Sequence, residues 1–421
     1  MKSNRHNRFF LSGLVLLVGV IGFLELSVTS ASAMVFTKPV LTLGSPSPFW
    51  ASYADYTNNI LSVTWTVNNI GAIDAYSVRL TSNINTNGVT LALPLDAYRY
   101  LSQWGSTGSG SGQFNIPWGV AIDLSGYVYV ADSQNNRVEK FDSSGNYITQ
   151  WGVPGSGNGQ FSTPIAVAVD PSGYVYVTDI GNNRVEKFDS SGNYIRQFGG
   201  GGSGNGQFVS PRGIATDQSG NVYVSDTNNS RVEKFDSSGN YITQWGGFGT
   251  GNGQFDHNCG IAVDPSGNVY VSDTTINNRV EKFDASGNYI TQWGSQGSGN
   301  GQFLNPLGIA TDQSGYVYVA DTGNNRVEKF DSSGNYITQW GGVASPISPI
   351  GVAVDSSGYV YLTDSNNRVE KFNTYGFIGD ILAGHSGSVT LEYNVPIGVT
   401  SWMSTFAASA QDSVRNSYTY P

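Results

Sequence analysis

The chain has 421 residues, room for two or three domains, and its 31 acidic residues outnumber 21 basic ones for a formal net charge of −10 at pH 7. That balance excludes the basic footprint of a nucleic-acid partner. Only 12% of residues are charged, and 54 Gly and 24 Tyr accompany many Val and Thr, which reads as all-β and excludes disorder. The single cysteine, Cys259, excludes an internal disulfide.

Residues 1–33 read as an export signal. Lys2, Arg5 and Arg8 form a basic start, Phe9 to Leu24 is largely apolar, and Ala31-Ser32-Ala33 is a small-x-small cleavage site. A retained membrane anchor is the alternative, because the apolar run is long for a signal and short for a span. With cleavage, the mature chain has no membrane span and an extracellular or cell-surface location is expected.

Residues 34–96 carry strands. Leu61, Val63, Trp65 and Val67 alternate with polar residues, as do Tyr76, Val78 and Leu80, then Val89, Leu91 and Leu93. Three strands are too few for a closed sandwich. Residues 377–421 supply more: Val389, Leu391 and Tyr393 alternate, followed by Trp402, Ser404 and Phe406 and by Ser417 to Tyr420. One discontinuous β-sandwich, 34–96 plus 377–421, is therefore expected, with residues 97–376 inserted in a loop. Insertion costs little when the guest's ends are neighbours. The pieces Val67 to Tyr76, Asn87-Gly88-Val89, Gly379 to Gly384 and Ser388 to Pro396 resemble, in their order, the immunoglobulin-like CARDB-type domains of prokaryotic cell-surface proteins. That resemblance implies a wall, stalk or adhesion context.

Residues 97–376 repeat. An aromatic marker recurs at Trp104, Trp151, Phe198, Trp245, Trp293 and Trp340, spaced 47 or 48 residues apart, which means one supersecondary unit stacked on itself. The first copy has four strand-like runs, Gly119 to Asp123, Tyr127 to Ala131, Arg137 to Phe141 and Tyr147 to Trp151, separated by Gly/Asn turns. Four short antiparallel strands per copy suit a propeller blade better than a solenoid coil. The pattern Pro-x-Gly-[Val/Ile]-Ala-x-Asp, Gly-x-Val-Tyr-Val-x-Asp and Asn-Asn-Arg-Val-Glu-Lys-Phe-Asp resembles the NHL repeat, matching six times with departures at Ile165-Ala166 and Asn258-Cys259. The resemblance implies a six-bladed β-propeller. The run Tyr100 to Trp104 matches a fourth strand with no blade of its own before it, so it is expected to complete the sixth blade and close the ring.

Asp132, Asp179, Asp226, Asp273, Asp321 and Asp364 occur in every copy, as do Arg137, Arg184, Arg231, Arg279, Arg326 and Arg368. Such sets read first as structural pairs or turn bonds. Function is expected where copies differ. The residue before the first-strand Gly should sit near the central opening on the face that carries the Gly/Ser-rich loops. It is Trp118, Ile165, Arg212, Cys259, Leu307 and Ile350 in the six copies, with Asp256 and His257 just upstream in the fourth. These positions form either a recognition surface or a packed plug.

Some secreted propellers of this kind are metal-dependent lyases whose sites resemble His clusters. The three His here are His6, His257 and His385, and one propeller His cannot build such a site. Cys259, two residues from His257, would point the same way on an extended strand and could suggest a thiol pair. The expectation is a non-enzymatic recognition or adhesion protein for a protein or glycan ligand at the cell surface, with no cofactor, no metal and no nucleic acid. A secreted propeller lyase or hydrolase with its site near His257 is the alternative.

Overall fold

The computed structural model describes residues 41–43, 60–69, 75–85, 90–91, 98–341, 347–374, 377–381, 386–394, 403–411 and 417–420. The expected signal at 1–33 lies outside them. The chain divides into two compact units, one of them Tyr100–Phe372 and the other built from both ends of the chain.

The second unit contains two four-stranded antiparallel sheets, and each combines strands from both ends. Ile60–Asn69 lies between Leu41–Leu43 and Ser386–Asn394, which in turn pairs with Thr90–Leu91. Its register sets positions 61, 63 and 65 opposite 393, 391 and 389, so the alternating positions of the two segments coincide. The other sheet runs Phe377–Ile381, Ala75–Asn85, Met403–Gln411, Ser417–Tyr420.

Residues 98–374 form six four-stranded sheets. In the first blade the strands are Pro117–Ile122, Val128–Asp132, Arg137–Phe141 and Tyr147–Trp151, paired in chain order. Second strands are wholly buried, whereas the fourth strand Tyr147–Trp151 is half-exposed as an outer edge. In the sixth blade the outer strand is Tyr98–Trp104, next to Arg368–Thr374. The first propeller strand therefore completes the last blade, as expected from the surplus copy.

The core lies between neighbouring blades. Tyr129 and Val138 of the first blade pack with Phe161, Val167, Val175, Val177 and Phe188 of the second. Each aromatic marker spans such a seam. Trp104 meets Phe141 and Tyr361 at centroid distances of 5.9 and 6.2 Å. It also covers Gly145, which has φ +88°; a Cβ there would lie 2.6 Å from the Trp104 ring. That explains a glycine in this turn twice over, by backbone conformation and by contact. Lysines latch the seams: Lys140 Nζ donates to Ser190 O at 2.9 Å, Lys187 Nζ to Ser237 O at 2.8 Å, and Lys371 Nζ of the sixth blade to Ser143 O of the first at 2.9 Å. Away from the loop face the Asp-x-Ser-Gly turns are self-bonded. Asp123 accepts the backbone N–H of Ser125 and Tyr127 and the hydroxyl of Tyr129, an Asx-type turn.

Candidate functional site

The repeated Asp and Arg side chains are consumed by the fold. Arg231 is representative. Its Nε donates to Asp226 at 2.8 Å, Nη1 to Ser203 O and Gln244 Oε1 at 2.8 Å each, and Nη2 to Gly204 O at 2.9 Å and Gln207 O at 2.7 Å. Nη2 also pairs with Glu233 at 2.9 Å. Glu233 accepts Gly206 N–H, Asn229 donates to Gly202 O, and Asp226 accepts Val209 N–H at 2.7 Å. One guanidinium thus clasps the whole Gly/Ser-rich loop 199–210 against its blade. The same clasp holds loops 105–116, 152–163, 246–257 and 294–305 through Arg137, Arg184, Arg279 and Arg326. Burial pushes Glu233 and its five counterparts up to about 7 against the pull of these arginines.

Six of the seven sequence-predicted residues do come together. Trp118, Ile165, Arg212, Cys259, Leu307 and Ile350 line one opening of about 60 Å³. One residue further along each inner strand stands a glycine, or Ala166 in the second blade. A Cβ on Gly119 would lie 2.7 Å from Ala166 Cα, and one on Gly308 2.6 Å from Ile350 O. Glycine is what lets the inner strands meet backbone to backbone next to the mouth. Hydroxyls of alternate blades tie the rim together. Thr178 Oγ1 donates to Arg212 O at 2.8 Å, Ser272 Oγ to Leu307 O at 2.6 Å, and Thr363 Oγ1 to Trp118 O. The rim is therefore pre-organised.

Arg212 is the one charged side chain among those six. Its guanidinium carbon lies 5.7 Å from the Trp118 ring centroid, and Nη1 reaches Cys259 Sγ at 4.0 Å. Among the described residues no carboxylate pairs with it, and its buried Nε has no hydrogen-bond partner. The mouth thus offers an apolar wall, an aromatic face and an unpaired cation.

His257 is not among the residues lining that opening. It is half-exposed beside Asp256, with Nδ1 3.7 Å from Oδ2. The expectation that His257 and Cys259 point the same way is corrected by a bulge. Asn258 pairs with Asp273, but the register shifts before Ile261, and a bulge breaks strand alternation. Cys259 is buried, and that burial raises its thiol pKa, with Arg212 and Thr274 as its polar neighbours. Among the described residues no group of three His, Cys, Asp or Glu is placed to hold a metal ion. The reading of the Asp and Arg sets as structural pairs or turn bonds holds for each Asp–Arg pair; what it did not place is the arginine on the carbonyls of the Gly/Ser-rich loop.

The family described as a 6-bladed beta-propeller, DUF5128, matches residues 262–420, and the NHL repeat matches residues 114–141 and 208–235. Protein lin-41 of Caenorhabditis elegans is 51% identical over 43 residues, which is 10% of this chain and 4% of lin-41. The chain thus spans about 4–5% of the length of the curated relatives it matches. Among solved structures, a protein of unknown function from Bacteroides thetaiotaomicron superimposes with a TM-score of 0.53 at 16% identity, covering 80% of this chain and 98% of that one. A streptogramin B lyase does so at 0.47 and 14% identity, over 70% and 98%. At these identities the likeness is one of fold. The blades, the ring closure and both matches agree that the central part of this chain is a six-bladed β-propeller carrying NHL repeats.

Proposed function

We infer that this is an exported recognition protein that grips a segment of a partner protein through the mouth of its propeller. A protein-binding role fits an NHL propeller. The observation that carries the reading is the gathering of the six variable positions around one opening while the invariant positions are spent on the blades. An opening of about 60 Å³ is far below the roughly 300–1,000 Å³ that encloses a small-molecule ligand. It suits one inserted side chain or chain end. The unpaired Arg212 beside Trp118 favours an acceptor group, a carboxylate above all, flanked by apolar surface. In this reading the other unit is a discontinuous immunoglobulin-like sandwich that attaches the propeller at the cell surface, and residues 1–33 direct export.

The test is selection of displayed random peptides on the immobilised full chain. Acid-bearing peptides with an apolar neighbour should be enriched, and Trp118→Ala and Arg212→Ala should each weaken the selected peptides at least tenfold. Undiminished binding of those peptides by the double variant would overturn the assignment of the mouth.

A further inference from the structure

Five of the six arginine clasps hold a loop of this chain, and the sixth holds none of the kind among the described residues. Between marker and first strand the first five copies have twelve residues, such as 105–116 and 294–305, each ending its glycine run in Gly-Gln-Phe. The sixth has only the eight residues 341–348 and no Gly-Gln-Phe. Ile347 substitutes for the buried Phe; it is itself buried and abuts Gly341 as Phe303 abuts Gly294.

The receiving side of the clasp keeps its arginine and glutamate, in a turn one residue shorter whose Asp364 Oδ1 is already taken by the N–H groups of Asn366 and Arg368. Arg368 Nε donates to Asp364 at 2.5 Å, Nη1 to Gln103 at 2.8 Å, and Nη2 pairs with Glu370 at 2.8 Å. In the other blades the same two terminal nitrogens also serve three loop carbonyls, such as Ser298, Gly299 and Gln302 for Arg326. Arg368 serves none. Its side chain is 25% exposed against 5–9% for the other five. Glu370 is buried and, among the described residues, accepts no glycine N–H, whereas the other five glutamates each accept a loop glycine N–H. Asp364 Oδ1 accepts Asn366 N–H, where Asp321 Oδ1 accepts the loop N–H of Leu304.

The geometry points to a second binding site: Gln103, Asn366, Arg368 and Glu370 form an open clasp that takes an extended Gly-Ser/Thr-Gly-x-Gly-Gln segment of a partner protein. The guanidinium donates to its carbonyls and Glu370 accepts a glycine N–H. Five filled copies in the same molecule define the ligand. Glycine is required because the held backbone lies at φ +158° and +72° at Gly297 and Gly301, where other residues are strained. A second copy of this chain is the weaker donor, since its five loops of this sequence are already clasped at home. This site lies on the sixth blade's loop face and does not depend on the reading of the mouth.

The probe is a fluorescein-labelled peptide with the sequence of residues 295–304, titrated with the full chain and read by anisotropy. Saturable binding is expected, lowered at least tenfold by Arg368→Ala and by alanine at the two peptide glycines equivalent to 297 and 301. Trp118→Ala, which removes the mouth's aromatic wall, should leave it unchanged. Replacing residues 341–348 with the twelve residues 294–305 should abolish binding while the protein stays folded, because the clasp is then filled internally. Absence of binding at millimolar peptide, equal binding by Arg368→Ala, or binding retained after the loop replacement would overturn the site. Concentration-dependent dimerisation lost in Arg368→Ala would overturn the choice of a foreign partner.

Discussion

Replacing Arg231 by alanine tests the clasp where it is most complete. The side chain is 9% exposed and donates to Asp226, Gln244 and three loop carbonyls. Removal leaves Asp226 and Glu233, both fully buried, without a cation. Breaking a buried ion pair in this way costs about 3–5 kcal/mol. Arg368→Ala starts from a side chain that is 25% exposed and serves no loop carbonyl. Its loss also leaves the buried Asp364 and Glu370 without a cation, but water reaches this partly exposed site, so a smaller loss of about 2–3 kcal/mol is expected. At roughly 2–4 °C per kcal/mol for a chain of this size, Arg231→Ala should lower the melting temperature by roughly 10 °C and Arg368→Ala by less. Differential scanning calorimetry of the full chain measures both. Limited proteolysis should also show new cleavage within 199–210 in Arg231→Ala only. Equal shifts for the two variants, or an uncut loop, would refute the claim that the guanidinium holds the loop.

Three further outcomes are expected. Trp104→Ala removes the ring that joins the sixth blade to the first through Phe141 and Tyr361; a loss of about 3–5 kcal/mol is expected in urea melts, and an unchanged midpoint would deny the closure. Melting temperature should peak in mildly acid solution. The buried glutamates, raised to about 7, contribute stability that is full below about pH 4.5 and is lost as pH rises through about 7. The turn carboxylates Asp142, Asp189, Asp236 and Asp284, lowered by their Asn partners, contribute stability that is lost as pH falls below their usual value of 3.8. A melting temperature that climbs steadily from pH 5 to pH 8 would contradict this. Cys259, buried and with a raised pKa, should react with iodoacetamide at least a hundredfold more slowly in native protein than in urea, and comparable rates would place it on an accessible surface.

Much of this molecule was legible because each copy repeats a simple pattern. Val-Tyr-Val runs between Gly turns mark second strands, and the extra Tyr100 to Trp104 run foretold how the ring closes. The mouth was legible from one rule, that the residue before the inner glycine faces the opening, and all six such residues line it. What escaped depends on local geometry. A bulge between Asn258 and Ile261 separates His257 from the course of Cys259, and no alternation pattern reveals a bulge. The clasp joins residues 24–29 positions apart through backbone carbonyls, and carbonyls carry no sequence signature.

The sixth blade complicates the division between shared residues that build and variable residues that bind. A shared residue counts as structural only because its partner is present in the same copy. Where the partner loop is shortened, Arg368 and Glu370 carry the cost of burial without the compensating carbonyls and N–H. Burial still pushes Glu370 up to about 7, with Arg368 as its one opposing charge. An occupant that supplies a glycine N–H and three carbonyls would therefore bind better when Glu370 is ionised, so its affinity should rise as pH passes through about 7. It would also stabilise the propeller by mass action, about 2.7 kcal/mol at a hundredfold excess over Kd. Peptide affinity and the peptide-induced gain in melting temperature should then rise together with pH in wild type, and the pH dependence of both should vanish in Glu370→Gln. A pH dependence that survives Glu370→Gln would remove Glu370 from the site.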